Sequence, residues 1–213
     1  MLIICNSKIF TMEEKLEESC NKMHNSENIK KDFFFIRHGE TNWGKKDILK
    51  GYLDLHLNKN GCLQAKKSYE IIKKNIKKNI KEILIFSSAL NRAYETAEIF
   101  SSKIQPKPEI NKLYQLNERY YGDYSNANEK NILSYVPEDA ESSISFQERV
   151  HDIFIELLSK NSNKGIIIIV SHQKVFECLT NWLIGEKLKL SQGGVCSFKK
   201  SNKGFNYKIF DEK

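Results

Sequence analysis

The chain has 213 residues, of which 40% are hydrophobic and 11% aromatic, and its formal net charge is +7 at pH 7. This length suits one domain, and the apolar content is sufficient for a buried core, which excludes a wholly disordered chain. The five cysteines are odd in number and have no C-x-x-C spacing, which argues against a disulfide framework or a zinc site. No stretch is suited to a membrane span or a signal-peptide core, so we expect a cytoplasmic protein with no membrane partner.

The positive charge comes almost entirely from lysine. Only four of the 34 basic residues are arginine, at positions 37, 92, 119 and 149. A chain rich in lysine and asparagine is basic for compositional reasons alone, so the net charge is weak evidence for a polyanionic partner. The basic residues are not interleaved with aromatic ones as on an RNA-binding surface, and no nucleic-acid partner is predicted. The four positions that have kept arginine are the informative ones.

Residues 1–30 are predicted to form an N-terminal extension, and residues 31–213 a single domain. A capping-box pattern at Thr11 and Glu14 indicates a short helix in the extension. Its apolar face would comprise Met12, Leu16, Cys20 and Met23. We therefore expect an amphipathic helix that precedes the domain.

Apolar runs at residues 33–36, 82–86 and 166–170 are typical of buried strands. Helical stripes are predicted from 65 to 80, from 90 to 104, from 146 to 158 and from the third run to about 184, with Ser88 as a candidate cap of the second helix. Short strands are predicted at 112–116, 195–198 and 207–210, the last two as a hairpin. This order predicts an α/β fold, a three-layer sandwich with a mainly parallel central sheet flanked by helices.

Polar residues follow each of the three buried strands. They are Arg37 and His38 after the first, Ser87 and Ser88 with Arg92 in the next helix after the second, and Ser171 and His172 after the third. The carboxyl ends of parallel strands meet at one edge of a sheet, so these side chains are expected to converge. Two arginines, two histidines and a helix N-terminus suit a phosphoryl group, whose charge is spread over its oxygens. A histidine kept neutral by a neighbouring arginine can serve as nucleophile or base.

Five segments carry a family resemblance. They are residues 37–41 (Arg-His-Gly-Glu-Thr), 51–65, 88–97, 116–122 (Leu-Asn-Glu-Arg-Tyr-Tyr-Gly) and 169–172 (Ile-Val-Ser-His). In sequence and order they resemble the motifs of the histidine phosphatase superfamily, in its phosphoglycerate mutase-like branch. The resemblance extends from residue 33 to about residue 198 and implies the phosphoglycerate mutase-like α/β sandwich, with residues 31–213 as the catalytic domain.

The resemblance also implies a metal-independent reaction through a phosphohistidine. His38 would be the nucleophile, Arg37, Arg92 and His172 would hold the phosphoryl oxygens, and Glu118 would protonate the leaving oxygen and then activate water. We expect the adjacent phosphate to keep Glu118 protonated until it acts. Substrate contacts are expected from Arg37, Asn42, Lys50, Gly51, Arg92, Arg119, Tyr121 and Gln173. No metal or other cofactor is expected for hydrolysis.

The choice between a phosphatase and a mutase depends on the interval between Glu118 and His172. The segment 116–122 is close to that of the bisphosphoglycerate-dependent mutases, but these carry a long basic insertion after it, and here the interval is short. Its cations are Arg119, Lys130, Arg149, Lys160 and Lys164, and the mutase lysine position falls on Glu129. We therefore favour a phosphomonoester hydrolase that acts on a small anionic phosphorylated metabolite or a phosphoprotein.

Two alternatives stay open. One is a glycolytic phosphoglycerate mutase, an isomerase primed by 2,3-bisphosphoglycerate. The other is a non-catalytic module that binds a phosphorylated ligand, although the intact set of five catalytic-type residues speaks against it. A homodimer is also compatible with the sequence.

Two positions depart from the family pattern. Gly44 stands where many members have an asparagine. Gln173 replaces the glycine that usually follows the second histidine, so its side chain must either fit near the pocket or point away. Outside the motifs, Arg149 is expected to make a structural ion pair with Glu148 or Asp152. The histidines that match no motif, His24, His56 and His151, are expected to be solvated.

Overall fold

The computed structural model describes residues 29, 31–42, 52–76, 82–122, 138–161, 165–202 and 204–210. The predicted N-terminal helix, as well as Gly44, Lys50, Gly51 and Glu129, lies outside these residues. Ile29 is fully buried in the same apolar cluster as the first strand, so packing of the domain core already includes this residue.

A six-stranded sheet forms the centre of the molecule. Its strands are β1 (Phe33–Arg37), β2 (Ile83–Ser88), β3 (Ile110–Leu113), β4 (Ile166–Ser171), β5 (Val195–Ser201) and β6 (Gly204–Phe210). They lie side by side in the order β3-β2-β4-β1-β5-β6. The first four strands along the chain are parallel, whereas β5 pairs antiparallel with β1, and β6 with β5. The mainly parallel sheet and the late hairpin predicted from the sequence are thereby confirmed.

Helices cover both faces of the sheet. They are α1 (Lys59–Asn75), α2 (Asn91–Ser101), α3 (Ser143–Lys160) and α4 (Gln173–Ile184). One apolar cluster contains Phe34 and Ile36 of β1 together with Ile72 of α1 and Ala93, Ala97 and Phe100 of α2. The other cluster contains Phe33 and Phe35 together with the buried apolar residues of α3 and α4. The predicted three-layer sandwich is therefore confirmed.

The unbroken apolar sequence of β1 follows from its central position. Successive side chains of a strand point to opposite faces, and here both faces are covered by helices, so every position is apolar. Phe33 stacks on Phe198 of the neighbouring β5, with ring centroids 4.6 Å apart. Full burial of one such side chain contributes about 1.5–3 kcal/mol, and this fixes the strand that delivers Arg37 and His38 to the sheet edge.

Several predicted boundaries are wrong. The helix α2 ends at Ser101 rather than at residue 104, and its N-cap position is Leu90 rather than Ser88, which is the last residue of β2. The segment predicted as a strand at 112–116 is the end of β3 followed by a short 3-10 turn, Tyr114–Leu116. These differences leave the polar residues at the strand ends where they were expected.

His151 was expected to be solvated, but it is buried between α3 and α4 and its ring stacks on that of Trp182 at 4.7 Å. Its neighbours explain the error, because an imidazole between two apolar helix faces packs as an aromatic ring. His56, by contrast, is exposed and pairs with Glu95. Among the helices that the structure describes, none has both the length and the apolar character needed to cross a bilayer.

Candidate active site

The carboxyl ends of β1, β2 and β4 meet at one edge of the sheet. Arg37 is in register with Ser171 across β1 and β4, and the His38 amide donates to the Ser171 carbonyl at 2.9 Å. The rings of His38 and His172 lie 5.2 Å apart, centroid to centroid. β2 ends at Ser88, whose hydroxyl oxygen is 2.7 Å from His172 Nε2. The structure therefore brings the predicted strand-end residues into one pocket.

The surroundings of His38 determine its tautomer. Nδ1 lies 2.7 Å from the Gly39 carbonyl oxygen, which can only accept, so Nδ1 carries the proton. In the neutral ring the lone pair therefore resides on Nε2. A neutral imidazole can act as a nucleophile through this lone pair, and His38 is buried, which limits its access to water.

The loop that carries His38 is held by side chains of α1 and α2. The Gly39 amide donates to the Thr96 hydroxyl at 3.1 Å, and the Glu40 amide donates to Gln64 Oε1 at 2.7 Å. Glu40 Oε1 in turn accepts from the side chain of Asn58, the N-cap residue of α1, at 2.7 Å. His38 thus lies on a loop that two helices orient.

Arg92 is almost completely buried at the start of α2. Its Nη1 atom donates to the Leu53 carbonyl oxygen at 2.6 Å. Burial lowers the pKa of the Arg92 guanidinium to about 10, while the nearby Glu118 and Asp54 carboxylates act in the opposite direction. Arg92 therefore remains charged at neutral pH and places a cation inside the pocket.

His172 is held by a chain of hydrogen bonds. The Ala89 amide and the Ser88 hydroxyl both donate to Asn117 Oδ1, at 2.9 and 2.8 Å. A backbone N–H can only donate, which identifies the Asn117 atom as oxygen, and the single hydroxyl proton of Ser88 is then committed to it. Ser88 Oγ must therefore accept from His172, and Nε2 of His172 carries a proton.

The other ring nitrogen of His172, Nδ1, is buried and has no hydrogen-bond partner among the residues that the structure describes. Burial lowers the pKa of His172 well below its ordinary value, and the charges of Arg92, His38 and Arg37 act in the same direction. In the neutral ring this nitrogen can only accept, so it can donate to an oxygen of a ligand only after it takes up a proton. An anionic phosphoryl group would offset the neighbouring positive charges and favour a proton on Nδ1.

Glu118 lies buried in the same pocket, just after the 3-10 turn. Its carboxylate accepts from the Arg119 amide at 3.0 Å and from the Lys174 amide at 3.4 Å. Burial raises the pKa of Glu118 above its ordinary value, against the opposing effect of Arg92. The sequence-based expectation assigned this role to a bound phosphate, but in the structure desolvation alone is enough to raise the pKa.

Arg149 holds the segment that carries Glu118. Its Nε and Nη2 atoms each donate to Glu141 at 2.7 Å, and its Nη1 atom donates to the carbonyl oxygens of Gln115 and Asn117. The predicted structural role is confirmed, although the ion-pair partner is Glu141 instead of Glu148 or Asp152.

The residues predicted to bind substrate, other than Arg37 and Arg92, differ in their surroundings. The Arg119 guanidinium donates to the Glu141 carbonyl oxygen and lies 5.5 Å from the centre of the Tyr121 ring. Asn42 is exposed, next to the bridge between Thr41 and Leu57. Lys50 and Gly51 lie outside the described residues, and Gln173 contacts Arg37.

Sequence reasoning missed one residue of the site and the role of another. Asn117 received no role, and Ser88 was expected at the sheet edge and as a helix cap, yet both determine the protonation of His172. The polar pair Ser87-Ser88 at a strand end was a usable signal, but the sequence does not say which other side chain binds to this pair. Over the ranges that the structure describes, no group of three or more His, Cys, Asp or Glu side chains is arranged to hold a metal ion.

The fold and the sequence of this chain match those of a known family. A family model for the histidine phosphatase superfamily (branch 1) matches residues 33–197, and the chain belongs to this family. The first and last residues of the match lie in β1 and β5, so it includes every strand end described above.

Among curated relatives, the chain is similar to the phosphoglycerate mutase of Schizosaccharomyces pombe, at 38% identity over 43% of each chain. It is also similar to the 2,3-bisphosphoglycerate-dependent phosphoglycerate mutase of Buchnera aphidicola, at 36% identity over 48% of this chain and 44% of the relative. In both alignments the chain spans less than half of the relative's length.

Two solved structures have the same fold. The phosphoserine phosphatase of Entamoeba histolytica in complex with 3-phosphoglyceric acid superimposes with a TM-score of 0.68, at 22% identity, over 86% of this chain and 98% of that chain. The mycobacterial glucosyl-3-phosphoglycerate phosphatase gives a TM-score of 0.67, at 19% identity, over 84% and 97%.

Proposed function

We propose that the protein is a metal-independent phosphomonoester hydrolase that acts through a phosphohistidine on a small phosphorylated metabolite. The observation that carries this proposal is the shared buried pocket of His38, Arg92, His172 and Glu118. It combines a nucleophile, two groups that can bind an anion, and a carboxyl whose pKa is raised. The family membership and the phosphatase neighbours support the same reaction class.

The first step transfers the phosphoryl group to His38. Nε2 attacks phosphorus, the bond from phosphorus to the leaving oxygen breaks, and Glu118 gives its proton to that oxygen. Arg37, Arg92 and His172 stabilise the charge on the other phosphoryl oxygens. The products are an alcohol and a phosphohistidine.

The second step hydrolyses the phosphohistidine. Glu118, now a carboxylate, takes a proton from water, whose oxygen attacks phosphorus as the bond to Nε2 breaks. Phosphate leaves, and His38 and Glu118 return to their initial protonation states. A raised pKa is useful in both steps, because the same group must donate a proton and then accept one near neutral pH.

Hydrolysis is favoured over mutase activity by the partners of two arginines. Arg149 is bound to Glu141 and to two backbone carbonyl oxygens, and Arg119 donates to the Glu141 carbonyl. Both arginines are therefore engaged in holding the segment that carries Glu118. A bisphosphorylated substrate would need further cations to bind its second phosphate. The similarity to bisphosphoglycerate-dependent mutases keeps isomerisation as the second candidate.

The test is to incubate the protein with 3-phosphoglycerate, with and without 2,3-bisphosphoglycerate, and to measure free phosphate and 2-phosphoglycerate in the same samples. p-Nitrophenyl phosphate serves as a general phosphatase substrate. We expect free phosphate from p-nitrophenyl phosphate, an acid-labile phosphoenzyme, and no stimulated isomerisation. His38→Ala should abolish the phosphoenzyme and lower turnover at least about a thousandfold, as loss of a nucleophile does in other enzymes.

The matched control is His56→Gln, at an exposed histidine outside the pocket, which should keep normal turnover. Isomerisation stimulated by 2,3-bisphosphoglycerate would overturn the proposal and identify the protein as a mutase. Phosphate binding without turnover of any substrate would instead indicate a binding module.

A further inference from the structure

Gln173, the residue that stands in place of the family's usual glycine, has all four hydrogen-bonding positions of its amide occupied within the protein. Oε1 accepts from the Leu190 amide at 3.1 Å and from Arg37 Nη1 at 3.3 Å. Nε2 donates to Glu177 Oε1 at 3.0 Å and to the Leu188 carbonyl oxygen at 3.2 Å. The Leu190 amide can only donate and the Leu188 carbonyl can only accept, which fixes the orientation of the side-chain amide.

Leu190, whose amide donates to Gln173, also binds Arg37 through its carbonyl group. The Leu190 carbonyl oxygen accepts from Arg37 Nη1 at 2.6 Å, and Leu190 itself is buried. Gln173 therefore reaches Arg37 directly and also through the peptide group that it fastens. The main chain of Arg37 is held by this region as well, since the Gly193 amide donates to its carbonyl oxygen at 3.1 Å.

These contacts matter because an arginine side chain is long and its planar guanidinium must be oriented to bind a phosphoryl group in two-point fashion. We infer that Gln173 is a positioning residue, which fixes the guanidinium of Arg37 for the phosphoryl oxygens by fastening the 188–190 segment to the start of α4. This inference rests on the proposed function of the pocket. It revises the expectation that Gln173 contacts substrate, because a phosphoryl oxygen would have to displace Glu177 or Leu188 from Nε2.

A double-mutant cycle separates a positioning residue from a substrate ligand. Gln173→Met keeps the length of the side chain and removes its hydrogen bonds. We expect it to weaken the binding of inorganic phosphate about tenfold in the wild-type background, the size of effect typical for a hydrogen bond to a charged group. In an Arg37→Ala background the same substitution should change phosphate binding less than about twofold, because the group that it positions is absent.

Equal losses in the two backgrounds would overturn the inference and make Gln173 a ligand in its own right. Glu177→Gln is the matched control, since it keeps an oxygen acceptor for Nε2 and should leave phosphate binding unchanged. If Gln173→Met does not fold, Gln173→Asn retains the amide but is one methylene too short to reach Arg37, and it should give the same pattern.

A second readout needs no catalysis. The sequence has only four arginines, so the guanidinium NMR spectrum is simple, and Arg37→Lys assigns one signal. Gln173→Met should shift or broaden the Arg37 signal and leave that of Arg149 in place. An unchanged Arg37 signal would contradict the inference even in an active enzyme. A changed Arg37 signal in a protein that hydrolyses nothing would retain the positioning role and reject only the proposed function.

Discussion

The two histidines of the pocket have opposite tautomers in their neutral forms. The Gly39 carbonyl oxygen requires a proton on Nδ1 of His38, whereas the Ser88 hydroxyl, already committed to Asn117, requires one on Nε2 of His172. For the proposed reaction, the first arrangement leaves the lone pair of His38 on Nε2, which would attack phosphorus. The second leaves Nδ1 of His172 to bind a phosphoryl oxygen once that nitrogen takes up a proton. A single hydrogen-bond partner, the Gly39 carbonyl oxygen for His38 and Ser88 Oγ for His172, therefore makes the two histidines chemically different.

Asn117 should therefore affect catalysis without contact with the substrate. Asn117→Leu removes the acceptor for the Ser88 hydroxyl, which can then donate to Nε2 of His172 and so oppose the doubly protonated, cationic ring that the proposed reaction needs to bind a phosphoryl oxygen. We expect kcat/KM to fall about tenfold to a hundredfold, a range typical for loss of a group that orients a catalytic residue. Nitrogen-15 NMR of the histidine rings should report a proton on Nε2 of His172 in the wild type and its loss in the variant.

Asn117→Asp is the control, because it keeps an oxygen acceptor at the same place and should keep the proton on His172 Nε2. If Asn117→Leu has the wild-type NMR pattern at His172, the hydrogen-bond chain does not determine the tautomer. A drop in melting temperature alone, with normal spectra and kinetics, would have the same meaning.

At the scale of elements, the loop that carries His38 and the start of α1 approach so closely that side chains cannot intervene. A Cβ atom on Gly61 would lie 2.2 Å from the Glu40 carbonyl oxygen, and one on Gly39 would lie 2.5 Å from the Gly61 carbonyl oxygen. Both contacts are to backbone, which cannot move aside without moving the loop. The two glycines are therefore needed for close approach rather than for an unusual φ angle.

Gly61→Ala should displace the His38 loop from α1. Overpacking of this kind typically costs about 1–3 kcal/mol of unfolding free energy. A shift of 1 Å at a catalytic group can lower the rate about a hundredfold, so we expect a large loss of kcat/KM as well. Urea denaturation and p-nitrophenyl phosphate kinetics measure the two effects separately.

Gly185→Ala supplies the comparison. Gly185 ends α4 with a φ of +83°, but no atom lies within 4 Å of a Cβ built on it. This variant should lose about 1 kcal/mol from backbone strain and keep normal kinetics. If Gly61→Ala also kept normal kinetics, the close approach would be a matter of stability alone.

At the scale of the whole molecule, the sheet buries two titratable groups whose pKa values move in opposite senses. Burial lowers the pKa of His172 below 6.5, so the unfolded chain takes up a proton first and unfolding free energy falls as pH drops below 6.5. Burial raises the pKa of Glu118 above 4.5, so the folded state takes up a proton first and unfolding free energy rises as pH falls toward 4.5. The two effects partly cancel between pH 6.5 and 4.5.

Removal of the Glu118 carboxyl should reveal the effect of His172 on the pH dependence of the unfolding free energy. In Glu118→Gln, unfolding free energy should fall more steeply with decreasing pH in this range than in the wild type. The difference in slope has an upper limit of about 1.4 kcal/mol per pH unit, the value for one proton. Urea denaturation at several pH values measures it, with Glu98→Gln, at an exposed position of α2, as the control that should parallel the wild type. Parallel curves for Glu118→Gln would show that Glu118 titrates normally.

Much of this protein can be predicted from the sequence because strand and helix periodicity is local. The continuous apolar run 33–36 requires a strand buried on both faces, and Arg-His at its end predicts a polar cluster at a sheet edge. Together with the family motifs, this was sufficient to predict the α/β sandwich, the convergence of His38, Arg92 and His172, and the histidine phosphatase family.

Tertiary structure decided what depends on distant partners. Whether His151 is solvated is determined by the packing of α3 against α4. Arg149 donates to the carbonyl oxygens of Gln115 and Asn117, which are 34 and 32 positions away. The tautomer of His172 depends on a hydrogen bond between residues 29 positions apart, and the role of Gln173 on one between residues 136 apart. The sequence determines which chemical groups are present and which helix or strand carries each of them. The position of a proton and the orientation of a guanidinium depend instead on which atoms the fold brings within hydrogen-bond distance. No local sequence pattern contains that information.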